Sequence, residues 1–160
     1  MNHRVKNKFV NVSQKNGLPP ITFCTICASS NVTLETNDVV YHGRLFGSYP
    51  FIYLCNDCES YVGLHPNTNS PLGTLATAEM RSARKRVKTK FIDWYELKGW
   101  NRGKAYSKLA NALGMDGIEC HFGWFDIEAC CAAEKFLDAE LKVEREEFYQ
   151  QIGYIPQVSI

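Results

Sequence analysis

Cys24-Thr25-Ile26-Cys27 and Cys55-Asn56-Asp57-Cys58 are two pairs of cysteines, and 27 residues separate the first pair from the second. A structural zinc ion takes four nitrogen or sulfur ligands in a tetrahedron. Each pair can supply two thiolates from one tight turn, so two pairs complete the set. We therefore predict a zinc ribbon in which Cys24, Cys27, Cys55 and Cys58 hold Zn2+. The spacing leaves open that the four residues are buried free thiols.

The predicted zinc ion has a structural role. Four thiolates leave no open coordination position, so the ion could not activate a water molecule. His42 and His65 lie near the pairs, and a histidine in place of one cysteine would be the route to a catalytic metal. A thioredoxin-like redox pair is disfavoured, because neither pair opens a helix of a βαβ unit. The other cysteines follow no metal-binding pattern and are assigned to packing: Cys120, Cys130 and Cys131.

The composition is typical of an ordinary globular protein with one domain. The chain has 160 residues, a formal net charge of +1 and 45% hydrophobic residues, which excludes a uniformly basic protein. No apolar run approaches the ~20 residues that a membrane span needs. No apolar segment follows the basic N-terminus, so we expect no secretory signal. We expect a cytoplasmic, reducing compartment, where paired cysteines more often hold metal than form disulfides.

Short β-rich runs precede residue 65, and helical periodicity appears further along the chain. Strands are predicted over residues 32–34, 39–42, 51–55 and 61–64, with a turn signal at Thr36-Asn37-Asp38. Helices are predicted from Thr77 to Lys98, from the cap Asn101 to Leu113, and from the cap Asp126 to about Gln151. The predicted inward residues of these helices include Met80, Ala83, Val87, Phe91, Trp94, Ala105, Leu109, Ala110, Cys130, Cys131, Leu137 and Phe148.

These elements predict an α+β fold. An N-terminal zinc ribbon of short antiparallel strands is followed by a three-helix segment packed on it. The predicted boundaries are a basic flexible arm over residues 1–20, the ribbon over 21–74 and the helical part over 75–160. We expect the ribbon and the helical part to form one compact unit.

The charges are segregated along the chain. From Arg81 to Lys108 there are ten Lys and Arg against two acidic residues, and from Asp126 to Glu147 there are eight acidic residues against three basic ones. Like charges at three- and four-residue steps on a helix repel by about 0.2–0.5 kcal/mol per pair. Nucleic-acid phosphates would offset this repulsion through counterion release. We therefore predict nucleic-acid backbone contacts from Arg81, Arg84, Lys85, Arg86, Lys88, Arg102 and Lys104.

Other interpretations of the charge stay open. The acidic last helix could neutralise the basic helix inside the molecule or in a dimer, or either helix could contact a host protein. A nuclease-type enzyme is the least favoured hypothesis, because the chain contains no HExxH, P-loop or GxSxG motif. Its candidate residues would be His65, Arg81, Arg84, Arg102 and His121. For His65 and His121 the alternative role is hydrogen bonding that pins their loops.

A series of short motifs resembles one known family. The motifs are the two cysteine pairs, Tyr61-Val62-Gly63-x-His65 with Thr68, Pro71-Leu72-Gly73-Thr74-Leu75-Ala76, Arg81-x-x-Arg84, Arg102-x-x-Ala105-Tyr106 with Leu109-Ala110, Cys120-His121-x-Gly123 and Cys130. Their order over about residues 22 to 135 resembles the domain of unknown function 3268 family, a zinc-finger-containing domain of phages and bacteria. The resemblance implies zinc binding and a phage or bacterial setting, so the expected cytoplasm is that of a bacterium or an infected host. It implies no reaction.

Overall fold

The computed structural model describes residues 18–153. The chain divides into two compact units, Met1–Ala78 and Glu79–Ile160, and each unit has a hydrophobic core of its own. The arm predicted over residues 1–20 lies outside the described residues, except for its last three positions. The packing of the helical part on the ribbon stays a prediction.

Within the described residues, the first unit contains a three-stranded antiparallel sheet. Its strands are β1 (Val32–Thr36), β2 (Phe51–Cys55) and β3 (Tyr61–Gly63), in the order β1-β2-β3. The aromatic and branched residues of β2 favour a pleated, half-buried position, and β2 is the central strand. The strands predicted over 32–34, 51–55 and 61–64 are confirmed. The core of this unit includes Cys24, Tyr53, Cys55, Val62, Leu64 and Leu75.

The strand predicted over residues 39–42 is wrong. Asn37–Val39 forms a single 3-10 turn, and His42 has a φ of 54°, outside the region that a strand allows. The buried Asn37 side chain donates to the carbonyl of Phe46 (2.8 Å) and accepts from its N–H (3.1 Å). An asparagine that bonds to backbone in this way competes with the ladder of a sheet. The segment therefore forms a loop closed by Asn37.

The loop after β3 folds back along the sheet. Isolated β-bridges pair Leu64 with Pro71 and Tyr61 with Ala76. The hydroxyl of the buried Tyr53 donates to the Asn69 carbonyl (2.8 Å), so a central strand holds this loop in place. Hydrogen bonds to the sheet thereby fix a segment whose sequence shows no periodicity.

The second unit contains the helices α1 (Ala78–Leu97), α2 (Arg102–Leu113) and α3 (Ile127–Gln151). Both predicted caps are confirmed, since the Asn101 side chain accepts from the N–H of Lys104 and the Asp126 side chain accepts from the N–H of Ala129. Gly114 ends α2 in the left-handed conformation, with a φ of 64°. None of the helices within residues 18–153 has both the length and the apolar composition to cross a membrane.

The core of the second unit is formed by the periodic apolar residues of all three helices. Ala83, Val87, Phe91 and Trp94 from α1 are buried, as their three- and four-residue spacing predicts. Rings from the segment between α2 and α3 join this core: the Phe122 ring lies 5.1 Å from that of Phe91 and 5.2 Å from that of Phe125, between centroids. The other buried members are Ala105, Leu109, Ala110, Cys120, Cys130, Ala133 and Leu137.

Helices α1 and α3 lie side by side and run in the same direction. Arg86 bonds to Glu134 and Lys90 bonds to Asp138, each across 48 residues of sequence. Further along both helices, Lys98 forms an ion pair with Glu144. The acidic last helix thus neutralises one side of the basic first helix inside the molecule, which was one of the open interpretations.

The inward positions predicted for Cys131 and Phe148 are wrong. Cys131 is exposed, and Phe148 is 56% exposed. Helix α1 ends at Leu97, close to the level of Glu144, where Lys98 forms its ion pair. The last turns of α3 therefore run past the end of their neighbour, and Phe148 keeps its place in the periodic pattern without a helix to cover it.

Candidate metal centre and cationic face

The two cysteine pairs lie in two turns of the same geometry. In each turn the N–H of the leading cysteine donates to the carbonyl of the residue five positions later, at 2.7 Å for Cys24 and 2.9 Å for Cys55. The residue four positions after the leading cysteine has a positive φ in both turns, 58° at Ala28 and 60° at Glu59. Non-glycine residues hold this strained conformation only where their surroundings determine it. Both turns therefore present their two thiols in the same way.

The sulfur atoms of Cys24, Cys27, Cys55 and Cys58, here called the cysteine cluster, all lie within 4.8 Å of one another. Cys24 Sγ lies 3.6 Å from Cys58 Sγ, and Cys27 Sγ lies 3.5 Å from Cys55 Sγ. Four thiolates that surround one ion at about 2.3 Å would be about 3.8 Å apart, whereas the sulfurs of a disulfide are about 2.05 Å apart. The cysteine cluster therefore has the spacing of a metal-binding site.

A buried hydroxyl supports the thiolate form of one ligand. The Ser60 side chain is fully buried, and its Oγ lies 3.3 Å from Cys58 Sγ. This hydrogen bond is the main reason why the pKa of the Cys58 thiol is lowered from 9.0 to about 6. Metals bind the thiolate and not the thiol, so Ser60 favours the metal-binding state of Cys58 at neutral pH.

A polar network joins the two turns beside the sulfur atoms. The Asp57 carboxylate, from the second turn, accepts hydrogen bonds from Ser29 Oγ (2.5 Å) and from Asn31 Nδ2 (2.9 Å). These bonds lower the pKa of Asp57. Asn56 Nδ2 donates to Thr33 Oγ1 in β1 (3.0 Å). Side-chain hydrogen bonds therefore join the two turns independently of any metal ion.

No histidine among the described residues contributes to this centre. Within residues 18–153, the cysteine cluster is the only group of three or more His, Cys, Asp or Glu residues that could share an ion. His42 and His65 are exposed in loops. The backbone of His65 accepts from the Thr68 side chain (2.9 Å). A tetrahedral ion held by these four sulfurs would have no coordination position left for water.

The comparison with protein families agrees with the geometry of the cysteine cluster. The model of a zinc-finger-containing domain, domain of unknown function 3268, matches residues 20–140. The chain belongs to this family. The match includes both turns of the cysteine cluster, α1, α2 and the first half of α3. No curated protein and no solved structure matches the chain.

In this member of the domain of unknown function 3268 family, Arg84 is half-buried. Its Nε donates to the carbonyl of Phe125 at 2.7 Å, and burial lowers the pKa of its guanidinium group. The Phe125 ring is itself only 1% exposed. Arg84 thus ties α1 to the segment before α3. Arg81, one turn earlier, is half-buried.

One side of α1 is electrically neutralised by α3. Arg86 Nε and Nη2 donate to the two carboxylate oxygens of Glu134, at 2.7 and 2.9 Å. Lys90 lies between Glu134 (2.9 Å) and Asp138 (2.6 Å). These contacts lower the pKa of Glu134 to about 2, with the bond from Arg86 as the largest cause.

We give the name cationic face to the remaining exposed cations of α1 and α2, of which Lys88 and Arg102 line a common pocket: Lys85, Lys88, Arg102, Lys104 and Lys108. All five are exposed, and none has an ion-pair partner among residues 18–153. Lys104 and Lys108 lie one helical turn apart on α2. Of the ten cations between Arg81 and Lys108, three therefore form ion pairs with α3 (Arg86, Lys90 and Lys98), and the five of the cationic face form none among the described residues.

Two cations of this face lie over aromatic rings. The Arg102 guanidinium lies 5.4 Å from the centre of the Tyr106 ring, and its hydrogen bond to the Tyr106 hydroxyl raises the pKa of Arg102. The Lys104 ammonium lies 4.7 Å from the centre of the Trp100 ring. Such pairs hold long side chains in place at exposed sites.

His121 lies next to the cationic face. Its ring is parallel to that of Tyr106, with an angle of 2° between planes and 6.4 Å between centroids. Its Nδ1 accepts from the N–H of Gly123 (3.1 Å). This arrangement fits the loop-pinning role that was one of its two interpretations.

Several residues of these sites were not singled out by the sequence. Asp57 and Ser60 lie inside and just after the second cysteine pair, so their closeness to the predicted ligands was the available signal. Trp100 and Tyr106 lie beside predicted phosphate-binding residues, and an aromatic next to a cation was the corresponding signal on α2. Which polar neighbour of a ligand contacts it depends on the turn geometry, which the spacing alone does not contain.

Proposed function

We propose that the chain is a zinc-binding module that binds nucleic acid through the cationic face of its helical unit. The cysteine cluster supplies four soft sulfur ligands at tetrahedral spacing, which is a preferred environment of Zn2+. The ion would have a structural role, because no coordination position stays open. Thiolates stay reduced in a reducing compartment, and we place the protein in the cytoplasm of a bacterium or of a phage-infected cell.

A single observation carries the nucleic-acid proposal. On one side of α1, Arg86 and Lys90 each bond to carboxylates of α3, whereas the cations of the cationic face have no carboxylate partner among the described residues. The carboxylates of α3 thus pair with the cations on one side of α1 and not with those of the cationic face. An external polyanion would complete the pairing, and it would gain the entropy of released counterions.

The start of α2 adds to the positive potential of this face. Arg102 and Lys104 lie in the first turn of α2, which contains no acidic residue. The positive end of a helix dipole disfavours cations at this position, so both residues raise the energy of the isolated module. Phosphate groups near this turn would remove the unfavourable term.

The nuclease hypothesis has less support than binding. A metal-dependent nuclease needs a metal with an open position or a group of carboxylates. The cysteine cluster has four sulfur ligands, and it is the only metal-holding group found within residues 18–153. Arg84, one of the residues considered for catalysis, bonds to the Phe125 carbonyl.

Direct binding measurements test the proposal. We expect short DNA and RNA fragments to bind, with an affinity that falls steeply as salt rises, because each phosphate contact contributes about 0.9 to the slope of log K against log salt. Single strands and duplexes are both used, since backbone contacts alone do not choose between them. An absence of binding to all of these probes at low salt would refute the proposal.

A second function is favoured by a groove in the helical unit. The groove, of about 820 Å³, lies between the ends of α1 and α3. Its apolar residues include Leu97 and Phe148, which are 64% and 56% exposed. Its charged lining has one cation, Arg145, and four carboxylates: Asp93, Glu96, Glu144 and Glu147. Apolar surface rimmed by charge is typical of interaction sites. We propose that it binds a protein segment in which Lys and Arg flank apolar residues.

Capture experiments with matched variants test this second function. The bait is the full chain, and the bacterial lysate is treated with nuclease. A bound protein should be lost with Leu97→Ser/Phe148→Ser, should be retained with Lys88→Glu/Arg102→Glu, and should be released by salt. Equal retention by all three baits, or capture of no protein, would contradict it.

A further inference from the structure

A small pocket opens between α1 and α2 within the cationic face. It has a volume of about 240 Å³ and is lined by Lys88, Phe91, Ile92, Tyr95, Arg102 and Tyr106. Sites for drug-sized molecules usually measure about 300–1,000 Å³. The pocket is therefore suited to one ring system with its substituents and not to a large ligand.

The pocket joins an aromatic interior to a cationic opening. Tyr95 and Tyr106 both pack on Phe91, at centroid distances of 5.4 and 4.7 Å. Phe91 is only 1% exposed, so the buried core holds these two rings in position. A ligand ring that enters the pocket would contact tyrosine rings that are already held in position, which lowers the entropic cost of binding.

The charge of the pocket selects an anion. Lys88 and Arg102 come from different helices, and neither has an ion-pair partner among residues 18–153. The lining contains no acidic residue. A phosphate would contact a lysine point charge and a planar guanidinium together, and both are preferred phosphate-binding groups.

We propose that this pocket binds one nucleotide of a single-stranded nucleic acid, with the base against Tyr95 and its phosphate between Lys88 and Arg102. This inference rests on the proposed nucleic-acid binding and adds the class of strand. A base inside a duplex is stacked on both faces and paired along its edge, so it must first be flipped out of the helix, at a cost of a few kcal/mol, to enter a pocket. A single strand can turn out one base and stack it on a protein ring without choosing a sequence.

The test compares a single strand with a duplex, and variants that keep the Tyr95 ring with variants that lack it. Binding of the full chain is measured by fluorescence anisotropy with a labelled oligothymidylate, with a duplex of the same length and with thymidine monophosphate as a competitor. Tyr95→Leu removes the ring and keeps an apolar side chain, and Tyr95→Phe keeps the ring. Lys88→Gln, at an exposed position, removes one cation without a risk to folding. Thermal unfolding of each variant shows that the helical unit is intact.

We expect the wild type to bind the oligothymidylate more tightly than the duplex. Tyr95→Leu should weaken strand binding by about 5- to 150-fold, the range of one base-to-ring stack, with little change in duplex binding, and Tyr95→Phe should stay within about 2-fold of the wild type. Lys88→Gln should weaken strand binding and flatten its salt dependence.

Three outcomes would overturn the pocket assignment. Equal affinity for strand and duplex, with no effect of Tyr95→Leu, would agree with the proposed nucleic-acid binding and would refute the binding of a nucleotide in the pocket. Displacement of the strand by the monophosphate at concentrations equal to those needed of unlabelled strand would assign the pocket to a free nucleotide. If Tyr95→Leu unfolds the protein, the test rests on Lys88→Gln. An affinity of Lys88→Gln for the oligothymidylate equal to that of the wild type would then contradict the assignment. Failure of the proposed function differs from all of these, because neither strand nor duplex would then bind.

Discussion

Arg86 and Glu134 meet through two hydrogen bonds, Nε to Oε1 at 2.7 Å and Nη2 to Oε2 at 2.9 Å, although 48 residues separate them in sequence. This two-point contact fixes the register of α1 against α3. Parallel neighbouring helices place their dipoles side by side in the same direction, which is unfavourable. The bonds between the basic side of α1 and the acidic side of α3 offset that repulsion.

Replacing Glu134 should change how stability depends on pH. The pKa of Glu134 is lowered from 4.5 to about 2 in the folded chain. Its carboxylate therefore contributes stability above about pH 4.5, and this contribution is lost as the pH falls towards about 2. Glu134→Gln should be less stable than the wild type at neutral pH, and the difference should shrink over that window. Urea unfolding at a series of pH values measures it.

A matched control for this variant is Glu119→Gln, which removes an exposed carboxylate from the loop before α3. As a surface substitution, it should change the free energy of unfolding by no more than about 0.5 kcal/mol at neutral pH. A constant difference for Glu134→Gln at all pH values would show that the ion pair does not stabilise the fold.

Removal of the Arg84 side chain should destabilise the helical unit. Arg84→Ala leaves the Phe125 carbonyl without the Nε donor at 2.7 Å, and an unsatisfied buried polar group costs about 1–3 kcal/mol. Lys85→Ala, at the next and exposed position, should stay within about 0.5 kcal/mol of the wild type. Chemical unfolding followed by far-ultraviolet circular dichroism compares the two. Equal stability of both variants would show that Arg84 is not a structural residue.

Removal of the metal should unfold the first unit and leave the helices. Metal binding and folding of a four-thiolate site are linked, whereas all three described helices lie in or at the border of the second unit, which has its own core. A strong chelator, or Cys55→Ser, should therefore abolish the dispersed amide signals of residues in β1 to β3 and keep most of the helical dichroism.

Cys131→Ser is the control for Cys55→Ser, because it also removes one thiol but from outside the cysteine cluster. Cys131 is an exposed free cysteine outside the cysteine cluster, so its replacement should leave the metal content at one ion per chain. Dispersed β1 to β3 signals that survive complete metal removal would show that the polar network around Asp57 holds the ribbon without an ion.

Local chemistry allowed much of this fold to be predicted from sequence. The caps Asn101 and Asp126 are short-range features, because each bonds to an N–H three residues away. The two cysteine pairs identify a metal site through ligand type and spacing alone. By contrast, the loop closed by Asn37 depends on a contact with Phe46, and a turn signal in sequence does not say whether a strand follows it.

The number of charges could be read from the sequence, but the ion-pair partner of each charge could not be predicted from it. Lys85 and Arg86 are neighbours in the chain, yet Arg86 bonds to Glu134 and Lys85 has no ion-pair partner among the described residues. Which of them meets α3 depends on the rotation and register of two helices 48 residues apart. Arg84 is a similar case. The sequence predicts an exposed cation at this position, whereas its Nε donates to the carbonyl of Phe125.

The most direct test of the account is the salt dependence of nucleic-acid affinity for the double variant Lys88→Glu/Arg102→Glu. Glutamate is favoured in the first turn of a helix, so the change at Arg102 should leave α2 intact. The matched control is Lys135→Glu/Lys142→Glu on α3, which changes the net charge by the same amount. We predict that the first variant loses most of its affinity and that its slope of log K against log salt falls by about 2, whereas the control binds nearly as the wild type does. Equal losses in both variants would show a response to net charge alone and would contradict a binding site on the cationic face.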